Sequence, residues 1–327
     1  MLPRGACGEK VMGKSVAIVV PAYNEEDCIE ELARRLKLLF SSEAQYEFTC
    51  FLVENGSQDR TWHLIRCLCE ADERFVGIQL ARNFGAEGGM TAGLERVTQD
   101  AVIFMSADLQ DPPESVHGFL RLWEQGFENV YGVITQRGGT GPIRKFNSEV
   151  FYWLVAKIAD NAIPRNASDF RLLDRSVYEA VRQMRERGRF LRGMTAWVGF
   201  SSIGVSVERP QRFGGQSKAT TQEVLKVATR GVFSNSVKPL RTITIAGFLL
   251  SVIALTSIIV LAALWLARGV PFAGFGSLVS LLLLAFGVLA LMLGIVSEYV
   301  GLIYEEVKQR PNFIIRQTTD RPGSTNG

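Results

Sequence analysis

The amino-acid sequence predicts an α/β domain built on a doubly wound, mostly parallel sheet, followed by amphipathic helices and a two-helix transmembrane hairpin. Two observations lead to this prediction. In the first third of the chain, apolar runs rich in β-branched residues alternate with amphipathic stretches, which is the pattern of repeated βα units. Towards the other end, residues 242–304 contain only two charged residues, Arg268 and Glu298.

The elements of the α/β domain are predicted in order along the chain. Residues 15–20 (SVAIVV) form a buried parallel strand that Pro21 ends. Asn24 caps a helix with an acidic first turn. Further strands are predicted at 48–53, 75–80 and 101–105, and further helices at 59–69 and 88–97. Ligands of such sheets bind at the carboxyl ends of the strands, so the loops after residues 20, 53 and 105 are the informative ones.

Two apolar stretches are long enough to cross a membrane. Residues 242–267 carry no charge, and a helix rising ~1.5 Å per residue over that length exceeds the ~30 Å hydrocarbon core. A second span is predicted over about residues 275–303. The flanks are more basic than the connecting loop, with Lys238, Arg241, Lys308 and Arg310 outside it and Arg268 within it. The positive-inside bias therefore places both termini in the cytoplasm.

The chain is accordingly divided into five parts: an N-terminal tail (1–14), a cytoplasmic α/β domain (15–220), a juxtamembrane amphipathic helix (221–241), the membrane hairpin (242–304) and a cytoplasmic C-terminal tail (305–327). Within the domain, about residues 144–163 also form an amphipathic segment. Each amphipathic segment either packs on a core or lies in the membrane interface. The first residues lack the apolar core of a signal peptide, which agrees with a cytoplasmic domain.

Composition narrows the class of partner. The net charge of +3 gives no electrostatic support to a nucleic-acid partner. The five cysteines are odd in number and fit neither a zinc site nor a disulfide framework, so free thiols in a reducing compartment are expected.

Polar residues follow three of the predicted strands. These loops are residues 21–25 (PAYNE), 54–61 (ENGSQDRT) and 106–114 (SADLQDPPE). Each loop alone is ordinary turn sequence. Because all three end at one edge of the predicted sheet, together they supply carboxylates, amides, hydroxyls and an aromatic ring. Such a set suits a nucleobase, a ribose and a metal-bound diphosphate.

These motifs carry a family resemblance. The chain resembles the dolichol-phosphate-mannose synthase and bactoprenol glucosyltransferase group of glycosyltransferase family 2 over roughly residues 15–310. The matching stretches are PAYNE (21–25), GSQDRT (56–61), ARNFG (81–85), ADLQDPPE (107–114), DFRLLDR (169–175) and RFGGQSK (212–218). The resemblance implies a GT-A domain that transfers a sugar, with inversion, from a nucleotide-diphosphate sugar to a polyprenyl phosphate. UDP-hexose is favoured over GDP-mannose, and undecaprenyl or dolichyl phosphate is the expected acceptor.

The resemblance also implies roles for individual residues. The catalytic candidates are Asp108, Arg137, Arg144 and Ser148. The donor-binding candidates are Pro21, Ala22, Tyr23, Glu25, Glu54, Asp59, Ser106, Ala107, Arg212, Ser217 and Lys218. Asp108 and Gln110 are the metal-ligand candidates, and oxygen ligands suit Mg²⁺ or Mn²⁺. The last three catalytic candidates hold the acceptor phosphate, which already bears ~1.5 to 2 negative charges and needs orientation more than a strong base. Arg144 could alternatively be a simple membrane-surface cation.

The sequence departs from the family pattern at three positions. Glu54 and Asn55 stand where two Asp are usual, and Ser106 replaces the first Asp of the DxD motif. One interpretation is an enzyme with altered donor choice or looser metal dependence. The other is a membrane-tethered, non-catalytic nucleotide-sugar binder or assembly partner. An integral protein of the bacterial plasma membrane, in contact with membrane lipid, is expected, with the endoplasmic reticulum as the alternative location. A homo-oligomer is also an expectation from the family.

Overall fold

The computed structural model describes residues 13–134, 167–187, 189–210 and 274–319, together with residue 240 and some positions between 243 and 267. In these residues, eight strands form one sheet in the order β7-β5-β6-β4-β1-β2-β3-β8. The strands are β1 (Ser15–Ala22), β2 (Glu47–Glu54), β3 (Phe75–Leu80), β4 (Ala101–Phe104), β5 (Asn129–Ile134), β6 (Ala167–Asp174), β7 (Ser202–Val207) and β8 (Ile315–Thr318).

Helices connect the strands on both faces of the sheet. They are α1 (Ile29–Ser42), α2 (Thr61–Ala71), α3 (Gly85–Leu94), α4 (Val116–Glu124, after a 3₁₀ turn at Pro113–Ser115), α5 (Arg175–Gln183) and α6 (Leu191–Trp197). A further helix, α7 (Phe275–Val307), belongs to a separate unit of the chain. The four predicted strands and three predicted helices of the first third are all present, and apart from the start of α1 their ends agree within three residues.

The strand β1 lies at the centre because its sequence is apolar on both faces. Val16, Ile18 and Val20 belong to one buried cluster, whereas Ala17 and Val19 belong to another. Alternate residues of a strand point to opposite faces, so a continuous apolar run is what a doubly covered parallel strand requires. β1 pairs in parallel with β2 on one side and with β4 on the other.

The two clusters are completed by different helices. Helices α1, α2 and α4 supply residues to the first cluster, and α3, α5 and α6 supply residues to the second. Gly93 allows α3 to approach β1, because a Cβ at that position would lie 2.4 Å from Cγ1 of Val19. The helices thus cover both faces, and the doubly wound arrangement predicted from the sequence is confirmed.

The sheet is parallel at its centre and mixed towards its ends. β3 extends the parallel group beside β2. β6 runs antiparallel to both β4 and β5, while β7 is parallel to β5. The strand β8 pairs antiparallel with β3, so part of the segment assigned to a C-terminal tail is a strand of the sheet. Thr319 Oγ1 also accepts a hydrogen bond from the Gly77 N–H at 2.8 Å.

The predicted N-cap of α1 is wrong. The helix begins at Ile29 after Cys28, and Asn24 lies earlier in the loop with a positive φ of 50°. Its side-chain oxygen accepts a hydrogen bond from the Gln58 N–H at 2.8 Å. Asn tolerates this left-handed conformation better than most residues, and here it links two loops instead of capping a helix.

The chain separates into two compact units, and α7 belongs to the second. Within the described residues, one helical segment, Leu284–Val307, is long and apolar enough to cross a membrane. It overlaps the second predicted span, about residues 275–303. The first predicted span (242–267) is described only at scattered positions. The amphipathic segment 144–163 and all of 221–241 except residue 240 lie outside the described residues.

Candidate active site

Three loops meet at the carboxyl edge of the sheet, as the sequence predicts. β4, β1 and β2 are neighbours in that order and run in parallel. The strand order changes direction at β1, because β2 lies on one side of β1 and β4 on the other. Such a switch point is where open α/β sheets bind ligands.

The loops after β1 and β2 are joined by hydrogen bonds. The Asn55 N–H donates to the Ala22 carbonyl at 2.9 Å. The Asn24 and Glu25 N–H groups donate to Ser57 Oγ and Thr61 Oγ1, each at 2.9 Å. Four of the donor-binding candidates lie in the first loop. Ala22 is buried, while Pro21, Tyr23 and Glu25 are partly exposed.

Asp59 holds these two loops together. Its Oδ1 accepts from the Thr61 N–H and hydroxyl at 3.0 and 2.5 Å, and its Oδ2 accepts from the Glu26 N–H at 3.2 Å. Burial raises the pKa of the Asp59 carboxyl, but the hydrogen bonds from Thr61 and Glu26 outweigh it and lower the pKa overall. Its contact with a donor stays a prediction.

Glu54 is a fully buried carboxylate at the end of β2. Its Oε1 accepts a hydrogen bond from the Ser57 N–H. Its Oε2 is also buried and has no partner within the described residues. Buried polar atoms are nearly always hydrogen-bonded, and each exception needs an explanation. A ligand N–H or O–H is a natural partner for this oxygen.

Asn55 has a role that the family's usual Asp could not fill. Its Oδ1 accepts from the Phe84 N–H at 2.9 Å, and its Nδ2 donates to the Gly85 carbonyl at 2.8 Å. An ionised carboxylate only accepts hydrogen bonds, so it would leave that carbonyl facing a second acceptor. Asn55 therefore fixes the ARNFG segment against the loop after β2.

Gly56 allows the loop after β2 to approach the ARNFG segment closely. It has a positive φ of 73°, and a Cβ there would lie 2.5 Å from the carbonyl carbon of Arg82. A side chain would clash with backbone that cannot move aside, and the conformation itself favours glycine. The loop after β2 and the ARNFG segment are thus packed backbone to backbone.

The loop after β4 carries the metal-ligand candidates. Asp108 and Ala107 are buried, and Gln110 and Ser106 are partly exposed. The Gln110 N–H donates to Asp108 Oδ1 at 3.2 Å, and Leu109 between them has a positive φ of 60°. This left-handed residue is an uncommon conformation for leucine and it sharpens the turn that carries both candidates.

A second carboxylate, Asp111, closes this loop. Its Oδ2 accepts from the Ser106 N–H at 3.0 Å and from Ser106 Oγ at 2.7 Å. Its Oδ1 accepts from Arg209 at 3.1 Å. Burial raises the pKa of the Asp111 carboxyl, although Arg209 and Ser106 act against that shift. Sequence analysis assigned no role to Asp111 or Arg209.

The loops after β1 and β4 approach each other across Cys28. Burial raises the pKa of the Cys28 thiol to about 11, and the neighbouring carboxylates of Glu25 and Asp108 add to the shift. An electrostatic influence of this kind requires both carboxylates to be close to the thiol. Glu25 lies in the loop after β1 and Asp108 in the loop after β4, and these two strands are parallel neighbours.

The oxygen ligands in the loop after β4 suit a divalent cation whose remaining ligands come from the substrate. Within the described residues, no group of three or more His, Cys, Asp and Glu side chains could hold a metal ion. Mg²⁺ is usually held by one or two protein carboxylates together with substrate phosphates. The carboxylate of Asp108 and the amide oxygen of Gln110 match that requirement.

A charged cluster near the same edge has no role predicted from the sequence, although Asp169 and Arg171 lie in the DFRLLDR motif. Asp169 forms a two-point ion pair with Arg192 at 2.7 and 2.8 Å. Arg171 is buried and donates to Thr195 and to a backbone carbonyl, and burial lowers its pKa to about 10. Since β4 and β6 pair Phe104 with Arg171, the start of β6 lies beside the loop after β4.

The remaining site candidates lie outside the described residues. They are Arg137, Arg144 and Ser148, proposed for the acceptor phosphate, and Arg212, Ser217 and Lys218, proposed for the donor phosphates. Their roles stay predictions.

Comparison with known proteins agrees with the motifs. The family model described as "Glycosyl transferase family 2" matches residues 17–182. An uncharacterized glycosyltransferase of Synechocystis is 38% identical over 304 residues, covering 92% of this chain and 94% of the relative. The SfII prophage-derived bactoprenol glucosyl transferase of Shigella flexneri is 34% identical over 308 residues, covering 93% and 98%.

Solved structures are similar at lower identity. Glucosyl-3-phosphoglycerate synthase from Mycobacterium tuberculosis, in complex with Mn²⁺, UDP and glucosyl-3-phosphoglycerate, is 17% identical with a TM-score of 0.48, covering 69% of this chain and 80% of that one. Mannosyltransferase PcManGT from Pyrobaculum calidifontis, with GDP-Man and Mn²⁺, is 16% identical with a TM-score of 0.42, covering 92% and 88%. The family match and the full-length relatives decide the assignment: the chain belongs to glycosyltransferase family 2 and is a glycosyltransferase.

Proposed function

We propose that this protein transfers a sugar, with inversion, from a nucleotide-diphosphate sugar to a polyprenyl phosphate at the cytoplasmic face of a membrane. One observation carries the proposal. The carboxylates of Glu54 and Asp108 are buried at the ends of β2 and β4, on either side of β1. A carboxylate for a nucleobase or ribose and a carboxylate for a metal thus flank the first loop of a GT-A type domain.

Glu54 supports recognition of the nucleotide. Its buried Oε2 has no partner within the described residues, and leaving such an atom unpaired costs ~1–3 kcal/mol. An N–H of the base satisfies it. Uracil offers one ring N–H on its pairing edge, whereas guanine offers a ring N–H beside an amino group. A single accepting oxygen suits uracil well, and UDP-hexose is the donor that we favour.

Asp108 and Gln110 would hold the metal with the donor diphosphate. Mg²⁺ or Mn²⁺ neutralises negative charge on the leaving diphosphate when it is bound. The loop geometry supports this role, because Leu109 turns the chain sharply and Asp111 fixes the loop's two ends.

A polyprenyl phosphate is the acceptor that the relatives support. A relative that matches nearly the whole chain is named bactoprenol glucosyl transferase. A phosphate monoester is already ionised at neutral pH, so the protein has to orient it rather than deprotonate it. Arg137, Arg144 and Ser148 are the proposed partners of that phosphate.

The pairing of β8 supports two membrane crossings. β8 follows α7 in sequence and is hydrogen-bonded to β3, so the chain before and after the apolar region belongs to one sheet. Both parts must lie on the same side of a membrane, and a single crossing by α7 would separate them. Residues 242–267 can supply the second crossing. The exposed apolar side chains along α7, such as Leu284 and Phe286, are suited to lipid.

The test uses the full-length protein, purified in detergent and mixed with radiolabelled UDP- and GDP-hexoses. Undecaprenyl phosphate is the acceptor, and undecaprenol, which lacks the phosphate, is the matched control. Each reaction is run with Mn²⁺, with Mg²⁺ and with a chelator.

We expect labelled lipid from undecaprenyl phosphate in the presence of metal and none from undecaprenol. The donor that gives product identifies the nucleotide and the sugar. Binding of a nucleotide sugar without transfer from any donor would contradict the proposal and would favour the non-catalytic binder.

A further inference from the structure

The buried carboxylate of Asp111 joins the two ends of the loop that follows β4. Asp111 is 4% exposed, and its Oδ2 accepts hydrogen bonds from both the backbone and the hydroxyl of Ser106. Asp108 and Gln110 lie between the two residues that this contact joins. The position of the backbone that carries the metal-ligand candidates therefore depends on Asp111.

The other oxygen of Asp111 connects the loop to a distant part of the chain. Arg209 donates to Oδ1 at 3.1 Å. Arg209 lies two residues after the end of β7, and β7 is separated from β4 by β5 and β6 in the sheet. Three residues later, the RFGGQSK segment begins at Arg212. The ion pair thus joins the chain just after β7 to the loop after β4.

The geometry of Arg209 also leaves it a free donor. Its Nε is buried and has no partner within the described residues, whereas its terminal nitrogen is engaged by Asp111. A guanidinium is always charged and offers donors in a rigid fork. Asp111 therefore orients a cation at the same sheet edge as Asp108.

We propose that Asp111 and Arg209 form a latch that holds the loop of Asp108 and Gln110 against the chain just after β7 and so positions this loop for donor binding. The latch rests on the proposed function, because that function assigns Asp108 and Gln110 to the metal that binds the donor diphosphate. Asp111 is a positioning residue: it acts through the backbone of Asp108 and Gln110 and through Arg209. Ser106 contributes by binding the latch carboxylate, which accounts for a hydroxyl where the family's usual Asp is missing.

The test compares wild-type protein with Asp111→Asn, Arg209→Gln and the double variant, all as the full chain in detergent. Asp111→Asn keeps the size and an acceptor for Ser106 but removes the charge that holds Arg209. Asp72→Asn is the matched control, because Asp72 is also a poorly exposed carboxylate in an ion pair, with Arg74 at 2.7 Å, and lies before β3 at the opposite edge of the sheet. Dissociation constants are measured for UDP and for GDP, each with Mn²⁺, and KM and kcat for sugar transfer.

Each single substitution is expected to weaken nucleotide–Mn²⁺ binding and to raise the donor KM by about 10- to 100-fold, the range seen when residues behind a metal ligand are changed. The double variant is expected to be no weaker than the weaker single variant, because both changes break one contact. Asp72→Asn is expected to leave binding and KM unchanged.

Three results would overturn the latch: unchanged nucleotide binding in Asp111→Asn, multiplied losses in the double variant, or a loss confined to melting temperature. If Asp111→Asn does not fold, Arg209→Gln and Arg209→Lys decide the question, since Arg209 is partly exposed and lysine retains the charge. A wild-type protein that transfers no sugar but loses nucleotide binding in these variants would refute the proposed function and leave the latch standing.

Discussion

Buried carboxylates differ in their hydrogen bonding at the two edges of the sheet. Near the amino edge, where α1 ends, Glu43 accepts from Arg121 at 2.8 and 2.9 Å and contacts His117 at 2.6 Å. At the carboxyl edge, Glu54 pairs one oxygen with the Ser57 N–H and keeps the other unpaired within the described residues. The first carboxylate is satisfied by the fold, and the second is not.

The two kinds of hydrogen bonding have different consequences for stability. A satisfied polar network fixes one packing arrangement, whereas an unpaired buried oxygen costs stability that a ligand can restore. Backbone geometry agrees in part: of the three described non-glycine residues with positive φ, Asn24 and Leu109 lie in loops at the carboxyl edge, and Gln309 follows α7. The four predictions below test the contrast, from the largest expected effect to the smallest.

Asp108→Ala should abolish the chemistry at the carboxyl edge without unfolding the protein. A bound metal contributes several kcal/mol to stabilising charge on the leaving group, so loss of its carboxylate should lower transfer by about 100-fold or more. Transfer rates and thermal melting are measured side by side. Activity within threefold of wild type would show that Asp108 is not a metal ligand in catalysis.

Asn55→Asp should destabilise the site, because a carboxylate cannot donate to the Gly85 carbonyl. We expect a loss of about 1–3 kcal/mol in the free energy of unfolding, with the choice of donor sugar unchanged. Asn312→Asp is the matched control: Asn312 donates to the Glu186 carbonyl from an exposed position and should cost less. A changed donor preference in Asn55→Asp would mean that Asn55 reads the donor directly.

Glu54→Gln should weaken nucleotide binding without lowering the melting temperature. It replaces the unpaired acceptor by an amide, so nucleotide binding should weaken about tenfold, or ~1.4 kcal/mol. Removing an uncompensated buried charge should leave the melting temperature equal or higher. Calorimetric titration with UDP and a melting curve test both signs, and a lower melting temperature with unaltered binding would contradict the assignment.

Glu43→Gln should have the smallest effect and should leave catalysis alone. Its partners Arg121 and His117 are about half exposed and can turn to solvent, while the neutral amide can still accept a hydrogen bond from Arg121, so we expect a loss of about 1 kcal/mol. The donor KM should equal that of wild type. A raised donor KM would mean that Glu43 also affects donor binding, against the difference expected between the two edges.

The central part of the fold follows from local sequence. Apolar runs such as residues 15–20 and the amphipathic stretches between them fix parallel strands and covering helices, because side-chain periodicity and burial are local properties. The same reasoning brings Glu25, Glu54 and Asp108 to one edge, since parallel neighbours must end together. Sequence analysis also reached the family through its motifs.

Only the tertiary structure decided which polar atoms form hydrogen bonds or ion pairs with distant parts of the chain. The bond from Asn55 to Gly85 spans 30 residues, the ion pair of Asp111 with Arg209 spans 98, and the contact of Gly77 with Thr319 spans 242. No periodicity in the sequence encodes such pairings, because they depend on where distant segments are placed by packing. The sequence by itself determined the kinds of groups at the carboxyl edge. The folded chain alone decided that Asn55 and Asp111 hold its loops and that one oxygen of Glu54 has no partner within the described residues.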